Sequence, residues 1–166
     1  VTIRSATAAD HAAIFAVEQS AVGRDDTALL ADSLRQDGVV LVELVAEEAG
    51  GLVGHILFTT LEIRVPHGLT PAAALGPLAV RDGWQRRGIG GALVRAGIAA
   101  CRTLGLAAIV VLGHPDYYPR FGFSAAAAAT LRAPFSGPSF MALELTPGAL
   151  AAGGAVSYAD AFGIAG

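Results

Sequence analysis

The spacing of apolar and polar positions changes period several times along the chain, and each change marks an element. Val39–Glu47 is rich in Val and Leu and predicts a strand. The turn residues Ala49-Gly50-Gly51 follow, and Leu52–Ile63 reads as the second arm of a hairpin. Upstream, Thr2–Arg4 predicts a short strand. Ile14, Val17 and Ala21 recur at helical spacing within Thr7–Ala21, with Thr7 as its N-cap. Asp25 or Asp26 caps a second helix that ends near Gln36, before Gly38. Pro66, His67, Gly68 and Pro71 mark a loop. Ala73–Val80 is a third long strand, interrupted by Gly76-Pro77, where the missing proline N–H predicts a bulge or a strand edge.

The strongest helical pattern runs over Arg87–Leu104. Ile89, Leu93, Ala96 or Gly97, and Ala100 or Cys101 form one stripe, and Gly105 ends it. Leu106–Leu112 is apolar throughout and reads as a buried strand. Asp116–Phe121 predicts a short helical turn stopped by Gly122. Phe123 opens another strand, an alanine-rich loop runs through Pro138, and Ser139–Leu145 is the last strand. The order β-αα-βββ-α-β-α-ββ predicts a mixed, mostly antiparallel α/β sheet with helices on both faces, with one βαβ unit over Ala73–Leu112. One domain over residues 1–146 is expected. Residues 147–166 form an Ala- and Gly-rich tail packed on it through Tyr158 and Phe162.

Composition narrows the function classes. The 166 residues are 54% hydrophobic and 15% charged, which fits a packed domain and not a disordered chain. No apolar run reaches the roughly 18 residues of a membrane span, so no membrane partner is expected. Val1–Arg4 lacks a basic-then-apolar leader pattern, and a cytoplasmic protein is the default expectation. A net charge of −3 argues against general nucleic-acid binding. With Cys101 the sole cysteine, neither an internal disulfide nor a cysteine zinc cluster can form. The four histidines lack metal-ligand spacing, so no metal is expected.

Positive charge gathers at Arg81, Arg86, Arg87 and Arg95, around Val80-Arg81-Asp82-Gly83-Trp84-Gln85-Arg86-Arg87-Gly88-Ile89-Gly90-Gly91-Ala92-Leu93. Here a strand runs through a loop into the long helix. The first N–H groups of a helix lack internal acceptors and, with the helix dipole, attract an anion. Gly88, Gly90 and Gly91 let a phosphate approach the backbone, and Arg86 and Arg87 add charge. A P-loop would need Lys-Ser/Thr where Ile89-Gly90 stands, which excludes a nucleotide triphosphatase. A dinucleotide fold would need a third small residue where Leu93 stands.

Gln85-Arg86-Arg87-Gly88-Ile89-Gly90 instead resembles the Q/R-x-x-G-x-G/A signature of GNAT acetyltransferases. Leu78-Ala79-Val80 before it is similar to the family's pantetheine-pairing strand. Tyr117-Tyr118-Pro119-Arg120-Phe121-Gly122-Phe123 resembles its Y-x-x-x-G-F element. The element order also follows the family's. The resemblance implies a GNAT fold and transfer of an acetyl or other short acyl group from acetyl-CoA to a primary amine, directly and without a metal. It implies cofactor contacts from Leu78, Ala79, Val80, Gln85, Arg86, Arg87, Gly88, Ile89, Gly90, Gly91 and Ala92. A backbone N–H of Leu78 or Ala79 would face the oxyanion. Tyr118 would protonate the leaving CoA thiolate.

Proton removal from the amine has several candidates: His55, Glu43, Glu62, His67 and His114. His55 ranks first, as base or acceptor contact, because it lies on the hairpin that borders the acceptor groove in this family. Cys101 falls on the apolar stripe and reads as inert core. The acceptor is a small-molecule or protein amine. The scarcity of acidic residues in the expected groove disfavours a highly cationic one. Many relatives pair, so a homodimer is an expectation. The alternatives are a GNAT-fold module that binds acyl-CoA as a sensor, and a nucleotide-binding oxidoreductase.

Overall fold

The computed structural model describes residues 1–164. Strands β1 (Thr2–Ser5), β2 (Val40–Glu48), β3 (Gly51–Val65), β4 (Gly68–Val80), β5 (Ala108–Leu112), β6 (Leu131–Arg132), β7 (Phe140–Glu144) and β8 (Gly154–Tyr158) belong to one sheet. Helices α1 (His11–Val22) and α2 (Asp26–Gln36) join β1 to β2. Helix α3 (Ile89–Thr103) joins β4 to β5, and the one-turn α4 (Ala125–Ala128) precedes β6. The strand order is β1-β2-β3-β4-β5-β7, with β8 pairing β3 and β6. Pairs β1–β2, β3–β8 and β5–β7 are antiparallel, while β4–β5 and β6–β8 are parallel. The result is a mixed and mostly antiparallel sheet flanked by helices, as the sequence predicts. The backbone divides into two compact units, residues 1–58 with 76–100, and residues 59–75 with 101–164. The described part of the expected tail 147–166 falls in the second unit, and residues 165–166 lie outside the described ones.

In the first unit, β2 turns into β3 at Ala49 and Gly50, both at positive φ, 50° and 78°. That geometry matches the right-handed twist of a two-residue hairpin. Successive β3 residues face opposite ways. Gly54 lies under α3, where an added Cβ would come within 2.8 Å of Leu93 Cδ1 and 3.0 Å of Ile89 Cγ2. One turn further along α3, a Cβ on Gly97 would overlap the ring of Phe58, which is fully buried. These two glycines let the long helix lie close on β3 and so fix where its N-terminus stands. Toward α1, Ile14, Val17, Val45, Leu52 and Ala79 form a core cluster.

Gly97→Ala is therefore expected to lower stability by about 1–2 kcal/mol, because overpacking against the Phe58 ring outweighs alanine's better helix propensity of about 1 kcal/mol. Urea unfolding of the variant beside wild type checks this; a gain in stability would show that the ring yields.

The second unit has its own core of Leu61, Ile63, Ala72, Ala74, Val110, Leu131, Phe140, Leu150 and Val156 among others. The structure departs from the sequence reading here at several points, and α4 and β6 form inside the expected alanine-rich loop. Pro71, expected in a loop, lies inside β4. Only its N–H is missing, and its carbonyl accepts from Ala107 N–H at 2.8 Å. The strand expected at Phe123 is reduced to a single bridge, Ser124 to Ala142, because Ser124 caps α4 with its hydroxyl at 3.1 Å from Ala127 N. The tail contributes β8, whose Ala155–Tyr158 pair with Arg64–Leu61 of β3.

Candidate functional site

The glycine-rich turn is tied down at each end before it opens α3. Arg81 N–H donates to Val53 C=O at 2.8 Å, and Asp82 N–H to Ser20 Oγ of α1 at 3.1 Å. Trp84 N–H returns to Arg81 C=O at 2.9 Å, and Gln85 Nε2 reaches back to Val80 C=O at 3.1 Å. Gly83, Arg86 and Gly88 then take left-handed φ values of 86°, 63° and 81°. A non-glycine residue there is uncommon and marks a backbone bent for a purpose. Helix α3 makes its first turn with Ala92 N–H donating to Gly88 C=O at 3.0 Å. The N–H groups of Ile89, Gly90 and Gly91 precede that bond and have no acceptor within the helix. Gly88 is exposed, with nothing within 4 Å of where a Cβ would stand. The side chains of Gln85, Arg86 and Arg87 are exposed too. The Arg87 guanidinium lies over the Trp84 ring, 4.7 Å from its centroid. Trp84 thus steadies a cation beside the helix start.

At the end of β4, Ala79 is buried in the cluster around Val17, while Leu78 and Val80 alternate to the other face and are partly exposed. All the residues expected to touch the cofactor, Leu78–Val80 and Gln85–Ala92, lie in the first unit.

The same unit holds a buried chain of charges. His55 is wholly inaccessible. Its Nδ1 lies 2.6 Å from Glu18 Oε2 of α1, and its Nε2 lies 2.7 Å from Glu43 Oε2 of β2. Glu43 also takes a forked pair of bonds from Arg35 of α2, Nε at 3.0 Å and Nη2 at 2.6 Å. Arg35 Nη1 continues to Asp32 at 2.8 Å. Burial opposes charge on His55, but bonds to Glu18 and then Glu43 outweigh it and raise its pKa. Burial likewise opposes ionisation of Glu43, and His55 and Arg35 overcome it, holding the carboxyl at about 2.

An imidazole that donates from both nitrogens is a cation with no lone pair to accept an amine proton. His55, the expected base or acceptor contact, lies out of solvent between two carboxylates, and its bonds tie α1 to β2 and β3. The sequence did carry a signal for the network. Glu18 falls four residues after Ile14, on a helix face that is otherwise apolar.

Tyr118 stands in the second unit, at the start of a 3-10 turn, Tyr118–Phe121, closed by Gly122 at φ 98°. Its ring packs edge-on against Tyr117 and Phe123, with centroids 5.1 and 5.8 Å away. A Cβ on Gly113 would collide with that ring, so the glycine at the end of β5 is what admits it. Burial, and then the neighbouring Tyr117, push the phenol up to about 12, so it is protonated at any ordinary pH. Tyr117 itself carries the Arg120 guanidinium 4.6 Å over its ring.

The remaining candidates are placed apart. Glu62 is exposed beside Arg64 at 3.5 Å, and His67 sits in the β3–β4 turn. His114 offers its carbonyl to Tyr117 N–H at 3.1 Å. Cys101 is fully buried and its thiol is pushed up to about 12, unsuited to nucleophilic attack. Among the described residues, no group of three or more His, Cys, Asp or Glu is placed to hold a metal, and no helix is long and apolar enough to cross a membrane.

Residues 2–126 match the family described as the acetyltransferase (GNAT) domain. The chain is 40% identical over 116 residues to the uncharacterized N-acetyltransferase YjhQ of Escherichia coli strain K12. That alignment covers 69% of this chain and 64% of YjhQ, so the chain spans somewhat less than two thirds of that relative. Among solved structures it superposes on the E. coli GNAT family N-acetyltransferase YhbS in complex with CoA. The TM-score is 0.89 at 31% identity, over 99% of this chain and 93% of the other. A GNAT family acetyltransferase from Brucella melitensis in complex with acetyl-CoA gives a TM-score of 0.80 at 32% identity, over 97% of each chain.

Proposed function

The chain belongs to the GNAT acetyltransferase family, and from that premise we propose that it transfers an acetyl or short acyl group from acetyl-CoA to a primary amine, in one direct step. The observation that carries this reading is the bent turn over Arg86–Ala92, which opens α3, whose first N–H groups have no acceptor within the helix, beside two exposed arginines. Backbone donors, a helix dipole and glycines that leave the approach open fit a pyrophosphate. The CoA and acetyl-CoA bound by the two similar structures are consistent with that ligand.

When bound, acetyl-CoA supplies the acyl group as a thioester. In this reading Ile89, Gly90 and Gly91 N–H groups hold the pyrophosphate, and the partly exposed edge at Leu78–Val80 faces the pantetheine. The amine nitrogen bonds the acyl carbon as the carbon–sulfur bond breaks. Tyr118 gives its phenolic proton to the departing sulfur, for which its protonated state suits it. The amine's own proton passes to water, since His55 is wholly buried with both ring nitrogens engaged by Glu18 and Glu43. Cys101 takes no part, which agrees with direct transfer and no acyl-enzyme.

Calorimetric titration with acetyl-CoA tests the reading. Micromolar binding is expected in the wild type. Gly90→Asp, which sets a carboxylate against the pyrophosphate at the first turn of α3, is expected to weaken it by roughly 100-fold with the fold intact. Gly88→Asp adds backbone strain at φ 81° and serves as the second variant. A wild type that binds no acetyl-CoA would end the acetyltransferase reading.

A further inference from the structure

The second unit contains a cavity of about 470 Å³ between α4, β6 and the loop that leads into β7. Its size lies in the range of small-molecule sites. Ala125 and Ala128 of α4, Leu131, Phe135 and Phe140 form its walls, and Ser136 supplies the one polar side chain. No ionisable side chain lines it. The alanines leave the space open, and the two rings, with centroids 6.3 Å apart, give it aromatic sides.

The cavity is anchored where the proposed acid is anchored. Phe140 pairs with Leu112 at the end of the β5–β7 ladder. The next residue of β5's exit, Gly113, donates its N–H to Ser139 C=O at 3.0 Å, and it is Gly113 that admits the Tyr118 ring. One strand end therefore carries both the phenol and the cavity wall. We propose that this cavity receives the carbon skeleton of the acceptor, and that the acceptor is a small primary amine with an apolar, uncharged body of the arylalkylamine kind. The assignment rests on acetyl transfer being the reaction of this chain, with Tyr118 in it. The chemistry of the walls selects the class. An apolar body gains by leaving water for aromatic and alanine surfaces, whereas a polyamine would bring further ammonium groups to a lining with no carboxylate to pair them.

The test measures acetyl-CoA-dependent acetylation of 2-phenylethylamine and of spermidine. The wild type should favour 2-phenylethylamine in kcat/KM by about tenfold or more. Ala125→Trp fills the cavity from an exposed position and should raise KM for 2-phenylethylamine about tenfold while leaving acetyl-CoA affinity unchanged. Ser136→Asp, also exposed, should narrow the preference by giving spermidine a carboxylate. Turnover that favours spermidine, or a preference that neither variant moves, overturns the proposal and leaves acetyl transfer standing. If neither amine is turned over, calorimetry of 2-phenylethylamine decides. Binding that Ala125→Trp abolishes keeps the cavity as a site for an apolar amine but overturns its role in transfer, and no binding overturns the proposal outright, while acetyl-CoA titration decides the transfer reading separately.

Discussion

His55→Ala should be the most destabilising single substitution in the first unit, at about 3–5 kcal/mol. The side chain is wholly buried between two carboxylates, and its removal leaves Glu18 and Glu43 facing each other with one cation fewer. Glu18 depends on the histidine most, since its second oxygen is already buried without a partner. Arg35 still pairs Glu43, so the loss concentrates on the α1 side.

The pH dependence gives the prediction its sign. His55 has a folded pKa raised above the ordinary value of 6.5, so its stabilisation is full below about 6.5 and is lost as pH rises through the folded value. Glu43 is depressed, from 4.5 to about 2, so its contribution is full above 4.5 and is lost as pH falls toward 2. Wild-type stability from this network is therefore greatest between about pH 4.5 and 6.5. His55→Ala lacks the His55 contribution, so its deficit should be largest at pH 5 and shrink as pH rises through the folded value. Urea unfolding at pH 5 and pH 7.5 reads both effects. A deficit below about 1 kcal/mol at pH 5 would mean that water replaces the imidazolium cheaply.

The elements most legible in the sequence were those with a single strong period or a complete local signal. α3 announced itself through Ile89, Leu93 and Cys101 on one stripe and ended at Gly105, and the hairpin turn fell at Ala49-Gly50. The bend before α3 was legible as well, because glycines and arginines before an apolar helix have few other uses. What escaped depended on partners distant in the chain. β8 is a five-residue segment in a tail of Ala and Gly, and it becomes a strand only because β3 runs on to Val65 and leaves an edge for it. The buried network joins residues 37 and 12 positions apart, and no local pattern states that Glu18 and Glu43 converge on His55. Polar residues inside apolar stretches were visible one by one. That they pair with each other follows only from the fold.

Tyr118→Phe should lower kcat for acetyl transfer by about 100-fold, the low end of what a positioned general acid contributes. Phenylalanine keeps the ring that packs against Tyr117, Phe123 and Gly113, so the fold and the affinity for acetyl-CoA should not change. The loss should therefore fall on kcat and leave KM for acetyl-CoA alone, which marks an interaction made only as the thiolate departs. With the phenol held at about 12, the wild-type rate should show no descending limb from Tyr118 below about pH 11. Release of the CoA thiol, followed across pH 6–10, measures both. A kcat within threefold of wild type would show that water protonates the sulfur and that Tyr118 serves as packing. A fall in acetyl-CoA affinity with kcat intact would move the hydroxyl from proton transfer to binding.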